Sequence, residues 1–191
     1  MTAANRRKLV YLAGGMEKRA DNGKTWRRLI TPKLEKVGYA VFNPCLEEGG
    51  IFKNYNITPE ELKKLEKSKN VEFFMKMGND IGKHDLKAIE ASDMVVVFMD
   101  DSVFKSSGTV SEMTIAKLVW DKPVFAIRSV PYNMIPLWTF GCVTKFFSNL
   151  DDCVQYLKLY PKLEAGHKKS KEGITHIAEE AERKRSEQSK P

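Results

Sequence analysis

Apolar residues along this chain fall into short unbroken runs, separated by longer stretches in which they recur every three or four positions. That is the pattern of buried strands alternating with helices. Lys8-Leu-Val-Tyr-Leu-Ala13 is the first run and closes at Gly14-Gly15; Trp26 to Val37 then carries apolar residues at helical spacing until Gly38 stops it. Tyr39-Ala-Val-Phe42 reads as a second strand that ends at Asn43-Pro44, because proline cannot donate to a ladder and turns the chain. Residues 45–57 look irregular. Thr58-Pro59-Glu60-Glu61 marks a helix start, with a capping threonine and proline at the first helical position, and this helix runs to about Lys69. Val71 to Ala91 is a second long helical stretch whose middle is weakened by Gly78 and Gly82. Met94-Val-Val-Val-Phe-Met99 is apolar without alternation, as in a central parallel strand covered on both faces. Thr109 to Val119 reads as helix, Pro123-Val-Phe-Ala-Ile127 as a fourth strand, Cys142-Val-Thr-Lys-Phe-Phe147 as a fifth, and Leu150 to Tyr160 as a closing helix.

This β-α alternation predicts an α/β fold: a Rossmann-like or flavodoxin-like doubly wound sandwich around a roughly five-stranded parallel sheet. The apolar runs are spread over residues 1–160 with no linker between them, so one domain is expected there, with a helical insertion at about 45–75. Beyond Pro161 the chain is rich in Lys, Glu and Ser and holds few apolar anchors, which predicts a flexible or helical tail. Cys45, Cys142 and Cys153 are an odd number without metal-ligand spacing, which fits reduced thiols in the cytoplasm and implies no structural zinc. No apolar run approaches the ~20 residues needed to span a bilayer. The net charge of +7 raises the question of nucleic acid. The lysines, however, alternate with acids in Glu61-Leu-Lys-Lys-Leu-Glu-Lys-Ser-Lys69 or lie in the tail, so attraction of small anionic substrates is the better reading.

Carboxylates and glycines flank the strands. Gly14-Gly15 follows the first strand, where a turn can demand positive φ or can bring backbone N–H groups close to a ligand oxygen. The fingerprint G-x-G-x-x-G is absent, so no dinucleotide cofactor is expected. Thr109-Val-Ser-Glu112 has the spacing of a capping box, and on spacing alone Glu112 would bond back to the Thr109 N–H. Asp85 stands on a helix before the central strand, where a solvated charge is the ordinary reading, and Asp93 has the position of a turn residue leading into that strand. Ser106-Ser107-Gly108 is a loop whose hydroxyls and N–H groups suit a phosphate.

In combination these residues resemble the nucleoside 2-deoxyribosyltransferase family and its relatives, the deoxynucleoside 5′-monophosphate N-glycosidases. The matching features are Tyr11-Leu-Ala-Gly-Gly-Met16 after the first strand, Asp85 eight residues before Asp93, and Gly108-Thr-Val-Ser-Glu112 opening the next helix; the likeness spans roughly residues 8–150. It implies an enzyme of nucleotide metabolism that acts on the N-glycosidic bond of a 2′-deoxynucleoside or its 5′-monophosphate, without metal or organic cofactor. Glu112 would be the nucleophile, Asp85 the acid or base at the base moiety, and Tyr11 the residue that positions Glu112. Gly14, Gly15, Asp93, Ser106 and Gly108 would contact substrate. Asn133 would reach a neighbour's site, because the family completes its sites across a homo-oligomer interface. Two positions depart from the family's commoner pattern. Gly15 stands where proline or serine is usual, leaving only backbone. Ser106, six residues before the glutamate, stands where transferases tend to carry aspartate and the monophosphate glycosidases serine, and with Lys105 it tilts the substrate toward the nucleotide. A non-catalytic nucleotide sensor on the same sheet, with Glu112 reduced to a cap, is the competing class.

Overall fold

The computed structural model describes residues 6–16, 18–46 and 70–161, with isolated positions at 55, 57, 61, 64, 65, 163 and 164. Five strands form one sheet: β1 (Leu9–Gly14), β2 (Ala40–Phe42), β3 (Met94–Met99), β4 (Val124–Arg128) and β5 (Lys145–Phe147). Their order is β2-β1-β3-β4-β5 and every pairing is parallel, with Tyr11 opposite Val95 and Val97 opposite Ala126. This is a doubly wound α/β sheet whose order reverses between β1 and β3, and such folds hold ligands beyond the carboxyl ends of the strands at that reversal.

Alternation along β1 sorts its side chains to the two faces. Tyr11 and Ala13 join Val95, Val97 and Met99 of β3 in a core cluster with Ile89 of α2 (Val71–Ala91) and Met113 of α3 (Gly108–Thr114). On the other face, Trp26, Ile30 and Leu34 form the buried stripe of α1 (Lys24–Lys36), and Trp26 stacks on Phe98 at 5.5 Å between ring centroids. Each such large side chain withdrawn from water contributes roughly 1.5–3 kcal/mol. Despite its two glycines α2 is continuous, and the Asn70 side chain caps it by accepting from Phe73 N at 3.1 Å.

Several boundaries differ from the expected ones. The fifth strand is confined to Lys145–Phe147, since Cys142 closes a short helix, α4 (Leu137–Gly141), that no periodicity announced. The helix placed at Thr109 begins one residue earlier, at Gly108, and changes its winding after Thr114: Ile115–Val119 is a π-helix, in which Trp120 N donates to Ile115 O at 3.0 Å. Residues 45 and 46, at the start of the stretch expected to be irregular, belong to a helical turn over residues 44–46. The predicted helix start at Thr58, and nearly all of the polar tail, lie outside the described residues. The chain divides into two compact units, residues 1–154 and 155–191; in the second, the described residues 155–161, 163 and 164 are helical. Among the described residues no helix is long and apolar enough to cross a membrane.

Candidate active site

Tyr11 is fully buried in the middle of β1, and its hydroxyl donates to Glu112 Oε1 at 2.7 Å across 101 positions of sequence. Burial raises the Tyr11 pKa far above the ordinary phenol value, and the negative charges of Glu112 and Asp85 add to the effect, while Arg27 opposes it. Tyr11 is therefore held as the neutral phenol, and in that form it donates to Glu112. The capping box favoured by spacing does not form. Ser107, not Thr109, is the cap residue, and Thr109 lies inside the helix and buried, so half-buried Glu112 is the fifth helical residue and turns toward β1.

Asp85 arrives on α2 six residues before Ala91, or about 9 Å up the helix from its C-terminal end, which lifts it toward the carboxyl edge of the sheet. Its side chain is 18% exposed and lies 3.5 Å from His84 Nδ1. Burial raises the Asp85 pKa, while His84 and Arg27 pull it down. Burial thus shifts this carboxyl toward its protonated form, the direction a group that gives and retakes a proton requires.

Arg27 escaped the sequence reading. It is 1% exposed and occupies the floor of the site, donating from Nε and Nη2 to Leu12 O, from Nη2 to Gly14 O and from Nη1 to Gly23 O, with its guanidinium 4.8 Å from the Trp26 ring centroid. The sequence did carry a signal for it. Position 27 precedes Ile30 and Leu34 by three and seven residues, which puts a cation on the apolar stripe of α1.

The loops after β1 and β3 are joined. Gly14 has φ 152° and so needs glycine's freedom; a Cβ on Gly15 would stand 2.0 Å from Ser102 Oγ, so it is absence of room that excludes a side chain there. Ser102 is held in turn by Asp100, which accepts from its N–H at 3.0 Å and from its hydroxyl. The other Asp100 oxygen pairs with Arg19, whose Nε donates to Asp21 Oδ1 at 2.9 Å. Arg19 holds the Asp21 carboxyl well below the usual carboxylate range, and Asp21 accepts in addition from Gly23 N and Thr25 N at the start of α1.

Ser106 leads into α3, where Gly108 is the first helical residue, and opens with Ser107 and Ser111 onto a groove of about 260 Å³ whose far wall is Pro136, Trp138 and Thr139. Asp93 is not brought to this edge. At the amino end of β3 it accepts from Leu9 N at 2.7 Å and pairs with both terminal nitrogens of Arg6 at 2.9 and 3.0 Å, the strand-leading role. Asn133 lies exposed in a 3-10 turn (Tyr132–Met134) after β4. Among the described residues no group of three His, Cys, Asp or Glu side chains is arranged to hold a metal ion. Tyr11, Glu112 and Asp85 are thus assembled, with Gly14 and Gly15 beside them at the end of β1.

Fold and site together define an open parallel α/β protein of order 2-1-3-4-5 with a tyrosine-oriented carboxylate and a second, partly buried carboxyl at its switch point. Among solved structures it is similar to the 2-deoxyribosyltransferase of the psychrotolerant bacterium Bacillus psychrosaccharolyticus, with a TM-score of 0.52 and 20% identity, covering 78% of this chain and 91% of that one. At that identity the likeness is one of fold. Comparison with protein-family models and with curated proteins gives no match.

Proposed function

We propose that this protein is an enzyme that cleaves or transfers at the N-glycosidic bond of a 2′-deoxynucleoside or its 5′-monophosphate, through a covalent glutamyl-deoxyribosyl intermediate. The observation that carries the reading is the Tyr11 hydroxyl bonded to Glu112 Oε1 at 2.7 Å, at the reversal of strand order and beside the half-buried Asp85. As the C1′–N bond breaks, its electron pair leaves with the base, whose nitrogen takes the proton of Asp85. The Glu112 carboxylate closes on the oxocarbenium-like C1′, as in retaining glycosidases. In the second half a new base, or water, attacks C1′, returns a proton to Asp85 and frees Glu112. The two carboxyls suffice for this cycle, with neither metal nor organic cofactor taking part. The fold shared with a 2-deoxyribosyltransferase supports the reading. Hydrolysis of the 5′-monophosphate is the second outcome, favoured by the three serine hydroxyls at the groove beside Ser106, which a phosphate can accept from. Asn133 sits among exposed Tyr132, Met134 and Trp138, a surface that fits a homo-oligomer interface through which it would reach a neighbour's substrate.

Chromatography of the bases released from each deoxynucleoside and its 5′-monophosphate, with and without a second free base, tests this directly. Exchange marks a transferase, and free base with sugar or sugar phosphate marks a hydrolase. Glu112→Gln, which keeps the shape and removes the nucleophile, is expected to lose about a thousandfold or more of turnover. Parental activity in that variant would refute the role of Glu112 and leave nucleotide sensing as the better account.

A further inference from the structure

Four side chains bear charge or a titratable proton around Asp85. Tyr11 faces it from β1 and stays neutral; Arg27 faces it from α1, permanently charged and engaged with three carbonyl oxygens; Glu112 acts from α3 on the far side of Tyr11; and His84 adjoins it on α2. Adjacent residues on a helix point about 100° apart, so a contact between them requires both side chains to lean together. They do: His84 Nδ1 lies 3.5 Å from Asp85 Oδ1, a long contact of the kind that tightens when substrate closes a site. The imidazole is also placed by a column of rings, with Phe42 6.0 Å from it and stacked on Tyr11 at 5.5 Å and 11°. At 38% exposure His84 meets water, whereas Asp85, at 18%, is more enclosed.

We infer that His84 is a positioning residue for Asp85: its Nδ1–H stabilises the carboxylate left behind when the Asp85 proton passes to the departing base. This rests on the reading of Asp85 as the acid. Burial favours the protonated carboxyl; Arg27, bonded to backbone oxygens, lowers its pKa through charge alone, whereas the imidazole is in direct contact with it.

The test compares parent, His84→Asn and Asp85→Asn in the pH dependence of base release, together with a ¹³C NMR titration of the Asp85 carboxyl in the parent and His84→Asn. Without His84 the Asp85 titration and the alkaline limb of the rate profile are expected to move together to higher pH, by about half a unit to one unit. The maximal rate should fall about threefold to tenfold with KM little changed. An Asp85 titration and limb left in place by His84→Asn, with Asp85→Asn still inactive, would overturn this inference alone. Base release that survives Asp85→Asn would overturn the acid assignment and this inference with it.

Discussion

At the amino end of β3 the carboxylate is closed into an ion pair, while at the carboxyl end, where Asp100 is likewise paired with Arg19, Glu112 and Asp85 meet a phenol and an imidazole instead. Asp93, at the lower end of β3, has Arg6 across from it and the Leu9 N–H beneath, and Lys122 nearby donates to the carbonyl oxygens of Glu90 and Ser92. At the upper end of the same sheet, Glu112 takes its orientation from a neutral phenol, and Asp85 from an imidazole. Arg27, a permanent cation at the floor, bonds to backbone carbonyl oxygens, whereas Arg6 pairs with the Asp93 carboxylate. Ion pairing lowers the energy of the charged form and so fixes it, while a neutral donor orients a carboxylate and leaves it reactive. The two ends show how one sheet places the same residue type in two different electrostatic settings.

Breaking the floor should have the largest effect. Arg27→Met strips the partners from Leu12 O, Gly14 O and Gly23 O, and is expected to cost about 3 kcal/mol of folding stability, read as a lower urea midpoint. An unchanged midpoint would mean that the guanidinium does not organise this edge. Next, Tyr11→Phe removes only the hydroxyl at Glu112 and should slow base release by about 10- to 100-fold; a rate equal to the parent's would break the distinction between the two edges. Gly15→Ala drives a methyl into Ser102 and is expected to lose about 1–3 kcal/mol. Adding Ser102→Gly should recover part of that loss in a double-mutant cycle, and strict additivity would show the clash to be irrelevant. Smallest is Arg6→Ala. Its guanidinium is 60% exposed, so the loss should stay within about 1 kcal/mol, with base release untouched.

The sheet was readable because β1 and β3 are apolar throughout: Met94–Met99 cannot be a solvated face, and β1 ends at glycines. The doubly wound class followed from alternation alone. Glu112 shows where local reading stops. Thr109-Val-Ser-Glu112 has the right residues for a cap, but the helix starts at Gly108 and the decisive partner, Tyr11, lies 101 positions away. Long-range hydrogen bonds leave no periodic trace. Likewise α4 is only five residues long, too short for a helical period to show, and the fifth strand shrank accordingly. Gly15 was legible as a glycine required after a strand, but the cause, a serine 87 positions later in the loop after β3, was not. Asp85 and Asp93 looked alike as acids around one strand, and only the fold separates the partly buried carboxyl beside Tyr11 from the ion-paired one at the opposite end.

The π-helix at Ile115–Val119 bears on how this chain can change its length over evolutionary time. A π turn is in effect an α-helix that has absorbed one extra residue, and it sits just downstream of Glu112 and upstream of β4. Glu112 is anchored from the sheet by Tyr11, and β4 by its ladder with β3, so the segment between them acts as slack. An insertion or deletion there can be taken up by winding or unwinding that single turn, while the carboxylate and the strand both keep their places.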